Sequence, residues 1–130
     1  MMTTPSVEPA RRGHVLVVDD DPMVLKTIVR TLSRDHEVVA AAGGAAALEA
    51  IAAHACFDVI LCDLMMPSMT GAELYQRLSL IPDQVERVIF MTGGVLSPET
   101  QTFLDAIPNV WVEKPYDTKA LRALVNNRVR

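Results

Sequence analysis

The stretch Asp58-Val-Ile-Leu-Cys-Asp63-Leu-Met-Met-Pro67 decides the fold of this chain. Four consecutive apolar residues, Val59 to Cys62, lie between polar ones, which predicts a short strand that is buried on both faces. Asp63 then lies at the carboxyl end of that strand, and open parallel sheets form their sites at this edge. We therefore interpret Asp63 as the candidate reactive group.

Other short apolar runs occur on both sides of this stretch, and helical patterns follow them. Strands are predicted at 14–18, 37–40, 59–62, 87–92 and 110–112. Helices are predicted to begin at Pro22, Ala45, Gly71 and Pro98 and directly after Asp117. Asp21 is predicted to be the N-cap of the first helix, and the third helix is predicted to end at Leu80. Strictly alternating strands and helices predict an α/β fold, a doubly wound parallel sheet with helices on both faces.

Length and composition limit the classes of function. A chain of 130 residues fits one domain, which we place at 14–130, after a polar leader at 1–13 that we expect to be disordered. A net charge of −4 argues against direct nucleic-acid binding. The absence of a long apolar run or a signal peptide predicts a cytoplasmic protein without a membrane span. Cys56 and Cys62 are predicted to be free thiols, and the three histidines to be solvated.

Polar side chains follow four of the predicted strands and should meet at one edge of the sheet. They are three carboxylates, one hydroxyl and one ammonium group, from Asp19, Asp20, Asp63, Thr92 and Lys114. Two like charges about 4 Å apart cost on the order of 4 kcal/mol at an effective dielectric near 20, so the carboxylates need compensation. Oxygen ligands favour Mg²⁺ (or Mn²⁺), and a carboxylate beside a bound phosphate can act as a nucleophile on phosphorus.

Four motifs in this order resemble the receiver domain of bacterial two-component response regulators. They are Val17-Val-Asp-Asp-Asp-Pro22, Cys62-Asp-Leu-Met-Met-Pro67 with Gly71, Met91-Thr-Gly93 and Glu113-Lys-Pro115. The resemblance covers residues 14 to about 127. It implies a flavodoxin-like (βα)5 fold with strand order 2-1-3-4-5.

The resemblance also implies a role for each matching residue. Asp63 corresponds to the phosphoacceptor and also to a ligand of the metal. Asp20 corresponds to the direct Mg²⁺ ligand, and Asp19 to its acidic partner. The backbone carbonyl of Met65 corresponds to the third protein ligand of the metal. Lys114 corresponds to the phosphate-binding lysine, and its bond to the following proline is cis in such domains.

The switch positions of the family correspond to Thr92 and Trp111. Most receivers carry alanine after the switch hydroxyl, whereas this chain has Gly93 and Gly94, which should loosen the loop. A Gly-Ala pair usually precedes the last strand, and 107–109 reads Ile-Pro-Asn here. The Thr-Gly-Gly and Glu-Lys-Pro variant is similar to receivers at the C-terminus of hybrid sensor histidine kinases.

The implied function is that of a phosphoacceptor in a phosphorelay. The domain would accept a phosphoryl group from a histidine kinase or a histidine phosphotransfer protein. It would then switch the surface formed by the fourth helix, the fifth strand and the fifth helix for an unknown downstream protein. It would assist its own phosphorylation and dephosphorylation without being an enzyme, as a monomer or weak dimer, although a longer parent chain could be a histidine kinase.

Two other classes of function remain open. One is a receiver-like scaffold that binds a partner without being phosphorylated. The other is a phosphatase with an aspartate nucleophile, of the haloacid dehalogenase type. That phosphatase needs a second aspartate as general acid two residues after the first, and this position is Met65. No Gly-x-x-x-x-Gly-Lys motif is present, so the sequence predicts no phosphorylation from ATP by this chain.

Overall fold

The computed structural model describes residues 11–54, 56–81, 83–94, 96–114 and 117–129. The strands are β1 (His14–Val18), β2 (Glu37–Ala41), β3 (Val59–Asp63), β4 (Val88–Gly93) and β5 (Trp111–Lys114). The helices are α1 (Pro22–Leu32), α2 (Gly44–Ala53), α3 (Gly71–Leu78), α4 (Pro98–Ala106) and α5 (Thr118–Arg128). A short 3-10 helix, Val85–Arg87, precedes β4.

The five strands form one parallel sheet in the order β2-β1-β3-β4-β5, which confirms the predicted fold. Alternate residues of each strand point to opposite faces, so Leu16 and Ile60 belong to one core and Val17 and Leu61 to the other. Helices α2, α3 and α4 cover the first face, and α1 and α5 cover the second. The described helices are all too short or too polar to traverse a lipid bilayer.

Capping side chains fix the start of most helices. Asp21 accepts a hydrogen bond from the backbone N–H of Met23 at 2.9 Å, which confirms its predicted role as the N-cap of α1. Thr70, Ser97 and Asp117 cap α3, α4 and α5 in the same way. Helix α2 has no side-chain cap and starts at Gly44, one residue before the predicted start.

Several boundaries differ from the prediction by one residue, and β5 and α3 differ by two at their ends because of interactions that a linear pattern does not contain. Strand β5 was predicted at 110–112 but continues to Lys114, because its residues keep pairing with β4 as far as Gly93. Helix α3 ends at Leu78 rather than Leu80, and the 3-10 helix was missed.

Asn109, in the unusual segment before β5, supports this region. Its side-chain Nδ2 donates to the carbonyls of Val85 and Val88, at 2.9 and 2.8 Å. Its Oδ1 accepts a hydrogen bond from the hydroxyl of Tyr75 on α3 at 3.2 Å. One side chain therefore ties the 3-10 helix, β4 and α3 together.

The prediction of a solvated His36 was wrong. His36 is fully buried, and its Nδ1 accepts a hydrogen bond from the backbone N–H of Gly13 at 3.0 Å. Its Nε2 therefore carries the proton and donates to Oδ1 of Asn126 on α5 at 2.6 Å. These partners lie far away in sequence, so an edge position in the chain did not reveal burial. His14 and His54 are exposed, as predicted.

The end of the predicted leader also contacts the domain. Arg11 forms an ion pair with Asp58, and the buried Gly13 leaves no room for a Cβ beside Val129 and Asp58. Residues 11–13 therefore pack against the folded unit, while the domain start at residue 14 stays a prediction. The rest of the predicted disordered leader, residues 1–10, lies outside the described part of the chain. Both cysteines are free, Cys62 buried and Cys56 exposed.

Candidate functional site

Three carboxylates converge at the carboxyl edge of the sheet, and we call this group the acidic pocket: Asp19, Asp20 and Asp63. Strands β1 and β3 are neighbours and run in the same direction, so the residues that end them lie side by side. One carboxylate oxygen from each of the three lies within 4.8 Å of the others. Asp19 and Asp63 are buried, and Asp20 is exposed at the mouth. The predicted convergence of these carboxylates is therefore present.

Lys114 reaches the acidic pocket from the end of β5. Its Nζ lies 3.0 Å from Oδ2 of Asp19 and 3.6 Å from Oδ2 of Asp63. Partial burial of the ammonium lowers the pKa of Lys114, but the hydrogen bond to Asp19 and the charge of Asp63 outweigh it, so the pKa is raised. Lys114 is therefore a permanent cation shared by two buried carboxylates.

The electrostatics of Asp63 indicate that one lysine does not neutralise the site. Burial and then the negative charge of Asp19 raise the pKa of Asp63 to about 6, against the opposing effects of Lys114 and the Met65 N–H. Three ionised carboxylates against one ammonium leave about two negative charges in excess. The donors are oxygen atoms only, so the site fits a hard divalent cation such as Mg²⁺ or Mn²⁺.

Backbone groups around the pocket hold the two buried carboxylates in place. The N–H of Asp21 donates to Oδ1 of Asp19 at 2.9 Å, and the N–H of Met65 donates to Oδ1 of Asp63 at 3.3 Å. The bond from the backbone N–H of Asp21 was not expected, because the sequence predicted Asp21 mainly as the N-cap of α1, with a minor role through water. The Met65 carbonyl as a metal ligand stays a prediction, although its peptide lies beside Asp63. The Met65 side chain is largely exposed.

Gly71 shapes the loop that follows β3. Its N–H donates to the carbonyl of Leu64 at 2.9 Å. A Cβ at this position would lie 2.9 Å from the carbonyl oxygen of Asp63 and 2.9 Å from the Cα of Leu64. Only glycine lets α3 start this close to β3, so Gly71 is a positioning residue for Asp63.

The two predicted switch residues lie on neighbouring strands. Thr92 is buried, and its hydroxyl donates to the carbonyl of Val112 at a long distance of 3.5 Å. In the described part of the chain, the Thr92 hydroxyl makes no hydrogen bond with Asp63. Trp111 is half-buried against the core that contains Phe90 and Leu104. Their roles as switches stay predictions. The predicted cis bond after Lys114 involves residue 115, outside the described residues.

An apolar opening lies beside the acidic pocket, a feature that sequence reasoning missed. Met23 and Val24 of α1 line it together with Gly93, Gly94 and the Lys114 side chain, and it has a volume of about 500 Å³. The signal in the sequence was the Gly93-Gly94 pair, since two residues without side chains leave space next to Lys114. The opening adjoins the acidic pocket through the Lys114 side chain, which lines the one and contacts the carboxylates of the other.

Comparisons with known proteins agree with this geometry. A model of the response regulator receiver domain matches residues 15–126. An uncharacterized transcriptional regulatory protein of Bacillus subtilis, YkoG, is 29% identical over 92% of this chain and 52% of its own length. The sensor protein GacS of Pseudomonas syringae is 30% identical over 89% of this chain and 13% of its own. A solved response regulator receiver protein from Pseudomonas putida superposes with a TM-score of 0.80 at 26% identity, covering 91% and 98% of the two chains.

The two relatives YkoG and GacS are longer than this chain, and their names describe different kinds of protein. The chain spans about half the length of YkoG and a smaller share of GacS. One relative is named as a transcriptional regulator and the other as a sensor. The matched region is therefore shared between proteins with different outputs.

Proposed function

Because the chain belongs to the response regulator receiver domain family and is a receiver domain of two-component signalling, we propose that Asp63 is its phosphoacceptor. The observation that carries this proposal is the position of the Lys114 ammonium, within 3.0 Å of Asp19 and 3.6 Å of Asp63. Residues from three different strands thus combine one nucleophilic carboxylate, one phosphate-binding cation and the donors for a metal ion.

The proposed chemistry is a phosphoryl transfer between two side chains. A carboxylate oxygen of Asp63 attacks the phosphorus of a phosphohistidine, the P–N bond breaks, and its electron pair stays on the imidazole nitrogen. Asp19, Asp20, Asp63 and the Met65 carbonyl would hold Mg²⁺ (or Mn²⁺), which when bound supplies positive charge against the phosphoryl oxygens. Lys114 exchanges part of its contact with Asp63 for a phosphoryl oxygen, so the ammonium stays paired throughout.

The proposed response is a shift between two conformations. The hydroxyl of Thr92 now donates weakly to the Val112 carbonyl, and a phosphoryl group on Asp63 offers it a stronger, charged acceptor. Gly93 and Gly94 follow directly and allow the chain to move with Thr92. Trp111, which pairs with Phe90 across β4 and β5, would then change its packing at the surface of α4, β5 and α5.

The donor in this proposal is a histidine kinase or a histidine phosphotransfer protein. The apolar opening beside Lys114 lets a helix with a phosphohistidine approach Asp63. The downstream partner, the oligomeric state and the membership of a hybrid sensor kinase stay predictions from the sequence. We infer no phosphatase activity of the haloacid dehalogenase type on other substrates, because Met65 carries a thioether where such an enzyme needs a general acid.

The proposal is tested by labelling the protein with acetyl phosphate and Mg²⁺ and measuring its intact mass. We expect one added phosphoryl group, none in Asp63→Asn, and normal labelling in Asp105→Asn, which removes an exposed carboxylate on α4. Removal of Mg²⁺ with a chelator should abolish labelling. Equal labelling of the wild type and Asp63→Asn would overturn the proposal, and labelling of neither, with a partner still bound, would favour the scaffold.

A further inference from the structure

A groove with a basic lining runs between α1 and α5, and we call it the basic groove. It has a volume of about 370 Å³. Its lining contains four cationic residues and two threonines, Arg30, Thr31, Arg34, Thr118, Lys119 and Arg122. None of these belongs to the acidic pocket, and the part of the lining that the structure describes contains no acidic side chain. On a chain of net charge −4, this is a local concentration of positive charge.

Three of the four cations are not neutralised by the protein. Arg30, Arg34 and Lys119 are exposed, and within the described residues their side chains take part in no ion pair or hydrogen bond. Arg122 differs, because its guanidinium is held by Asp35, with Nη2 at 3.0 Å from Oδ1. The groove therefore has one anchored cation in its wall and three that are available to a ligand.

Helix stability accounts for only part of this charge. Arg30 lies in the last turn of α1, where a cation stabilises the negative end of the helix dipole. Lys119 lies in the first turn of α5, where the same dipole disfavours a cation, and this turn contains no acidic residue. The Asp117 cap offsets some of that cost. Lys119 thus adds repulsion to the groove, which an anionic ligand would relieve.

The chemistry of the lining favours one class of ligand. Among the described residues, the lining contains no aromatic ring on which a nucleobase could stack, and the negative net charge of the chain disfavours long polyanions such as nucleic acids. Arg30 lies in the last turn of α1 and Arg34 in the turn that follows this helix, so two consecutive segments supply exposed cations to the groove. We propose that the basic groove binds an acidic segment of a partner protein, whose carboxylates would pair with the exposed cations of the lining.

This inference goes beyond the phosphoacceptor role, since no step of it requires phosphorylation. The basic groove and the apolar opening beside Lys114 share Thr118 in their linings. A protein segment in the groove would therefore lie next to the route by which a phosphodonor reaches Asp63. Such a partner would hold the receiver through contacts that do not depend on the state of Asp63.

The test is an NMR titration of the ¹⁵N-labelled full chain with a peptide that carries several consecutive glutamates. We expect saturable shifts at the amides of Arg30, Thr31, Arg34 and Lys119, and none with the peptide in which glutamine replaces glutamate. The double variant Arg30→Gln/Arg34→Gln should raise the Kd about tenfold. A matched double variant, Arg12→Gln/Arg77→Gln, removes the same charge from exposed positions elsewhere and should change the Kd less than twofold.

Shifts outside the groove, no saturation, or an equal loss of affinity in both double variants would overturn the inference. Tighter binding of a single-stranded oligonucleotide at the same residues would also overturn it, in favour of a nucleic-acid ligand. Acetyl phosphate should label Asp63 normally in Arg30→Gln/Arg34→Gln. Loss of peptide binding and loss of phosphorylation can therefore be observed separately.

Discussion

Replacing Asp63 with asparagine should stabilise the metal-free protein at neutral and alkaline pH. Burial and the charge of Asp19 raise the pKa of Asp63 to about 6, compared with 3.8 for an ordinary aspartate, so the folded state disfavours the ionised carboxylate. A difference of about two pKa units corresponds to roughly 3 kcal/mol. Asparagine has the same shape without the charge, and Lys114 keeps its hydrogen bond to Asp19 at 3.0 Å.

The sign of the pH dependence follows from the same shift. Below pH 3.8 the carboxyl group is protonated in both the folded and the unfolded state, and it contributes nothing to the pH dependence. As the pH rises, the unfolded chain releases this proton before the folded protein does, so the folded protein loses stability. The full cost of keeping an ionised Asp63 in the folded state is present above pH 6. The stability gain of Asp63→Asn should therefore be near zero at pH 4 and about 2–3 kcal/mol at pH 8.

The assay is urea unfolding followed by circular dichroism at pH 4 and pH 8, with and without Mg²⁺. Asp105→Asn serves as the control for loss of an exposed carboxylate and should show no gain at either pH. Mg²⁺ should stabilise the wild type more than Asp63→Asn, and so reduce the difference in their free energies of unfolding at pH 8. A variant that is no more stable than the wild type at pH 8 without Mg²⁺ would refute the electrostatic reasoning.

Three further predictions concern the loop after β3, the Asp35 ion pair and the switch. Gly71→Ala should lower the free energy of unfolding by about 1–3 kcal/mol and weaken Mg²⁺ binding, because the added Cβ would lie 2.9 Å from two backbone atoms. Urea unfolding and a Mg²⁺ titration measure the two effects, and unchanged stability together with unchanged Mg²⁺ affinity would contradict the prediction. Hydrogen bonds from Arg122 lower the pKa of Asp35 to about 2, so the stability that Asp35 contributes is present above pH 4 and is lost as the pH falls towards 2. With allowance for solvent screening, the free energy of unfolding in urea should be about 1–2 kcal/mol higher for the wild type than for Asp35→Asn at pH 6, and the difference should be smaller at pH 3.5. A difference that is constant with pH would argue against the ion pair. Beryllofluoride with Mg²⁺ should change the fluorescence of Trp111 in the wild type but not in Thr92→Val, and an equal change in both proteins would exclude Thr92 as the switch.

The sequence predicted the fold well because the elements depend on local patterns. Short apolar runs that end in polar residues located the strands, and Asp21 and Ser97 marked helix starts that the structure confirms. The acidic pocket followed from topology, since parallel strands share one carboxyl edge. The order and direction of the strands were enough to predict that Asp19 and Asp63 lie close together.

The errors concern contacts between residues that are distant in sequence. His36 looked like a solvated residue at the edge of a strand, but its partners are Gly13 and Asn126, which is 90 residues away. Asn109 looked like a departure from the family pattern, yet its amide links the 3-10 helix, β4 and α3. Side-chain packing and hydrogen bonding of this kind depend on the assembled structure, so the sequence alone could not predict them.

The most direct test of the account is to locate the phosphoryl group. The protein is phosphorylated by acetyl phosphate or a phosphohistidine donor in Mg²⁺, the acyl phosphate is reduced with borohydride, and peptides are analysed by mass spectrometry. The account predicts that residue 63 is converted to homoserine and that no other carboxylate reacts. A reduced residue at Asp19, Asp20 or any other position, with Asp63 intact, would contradict it.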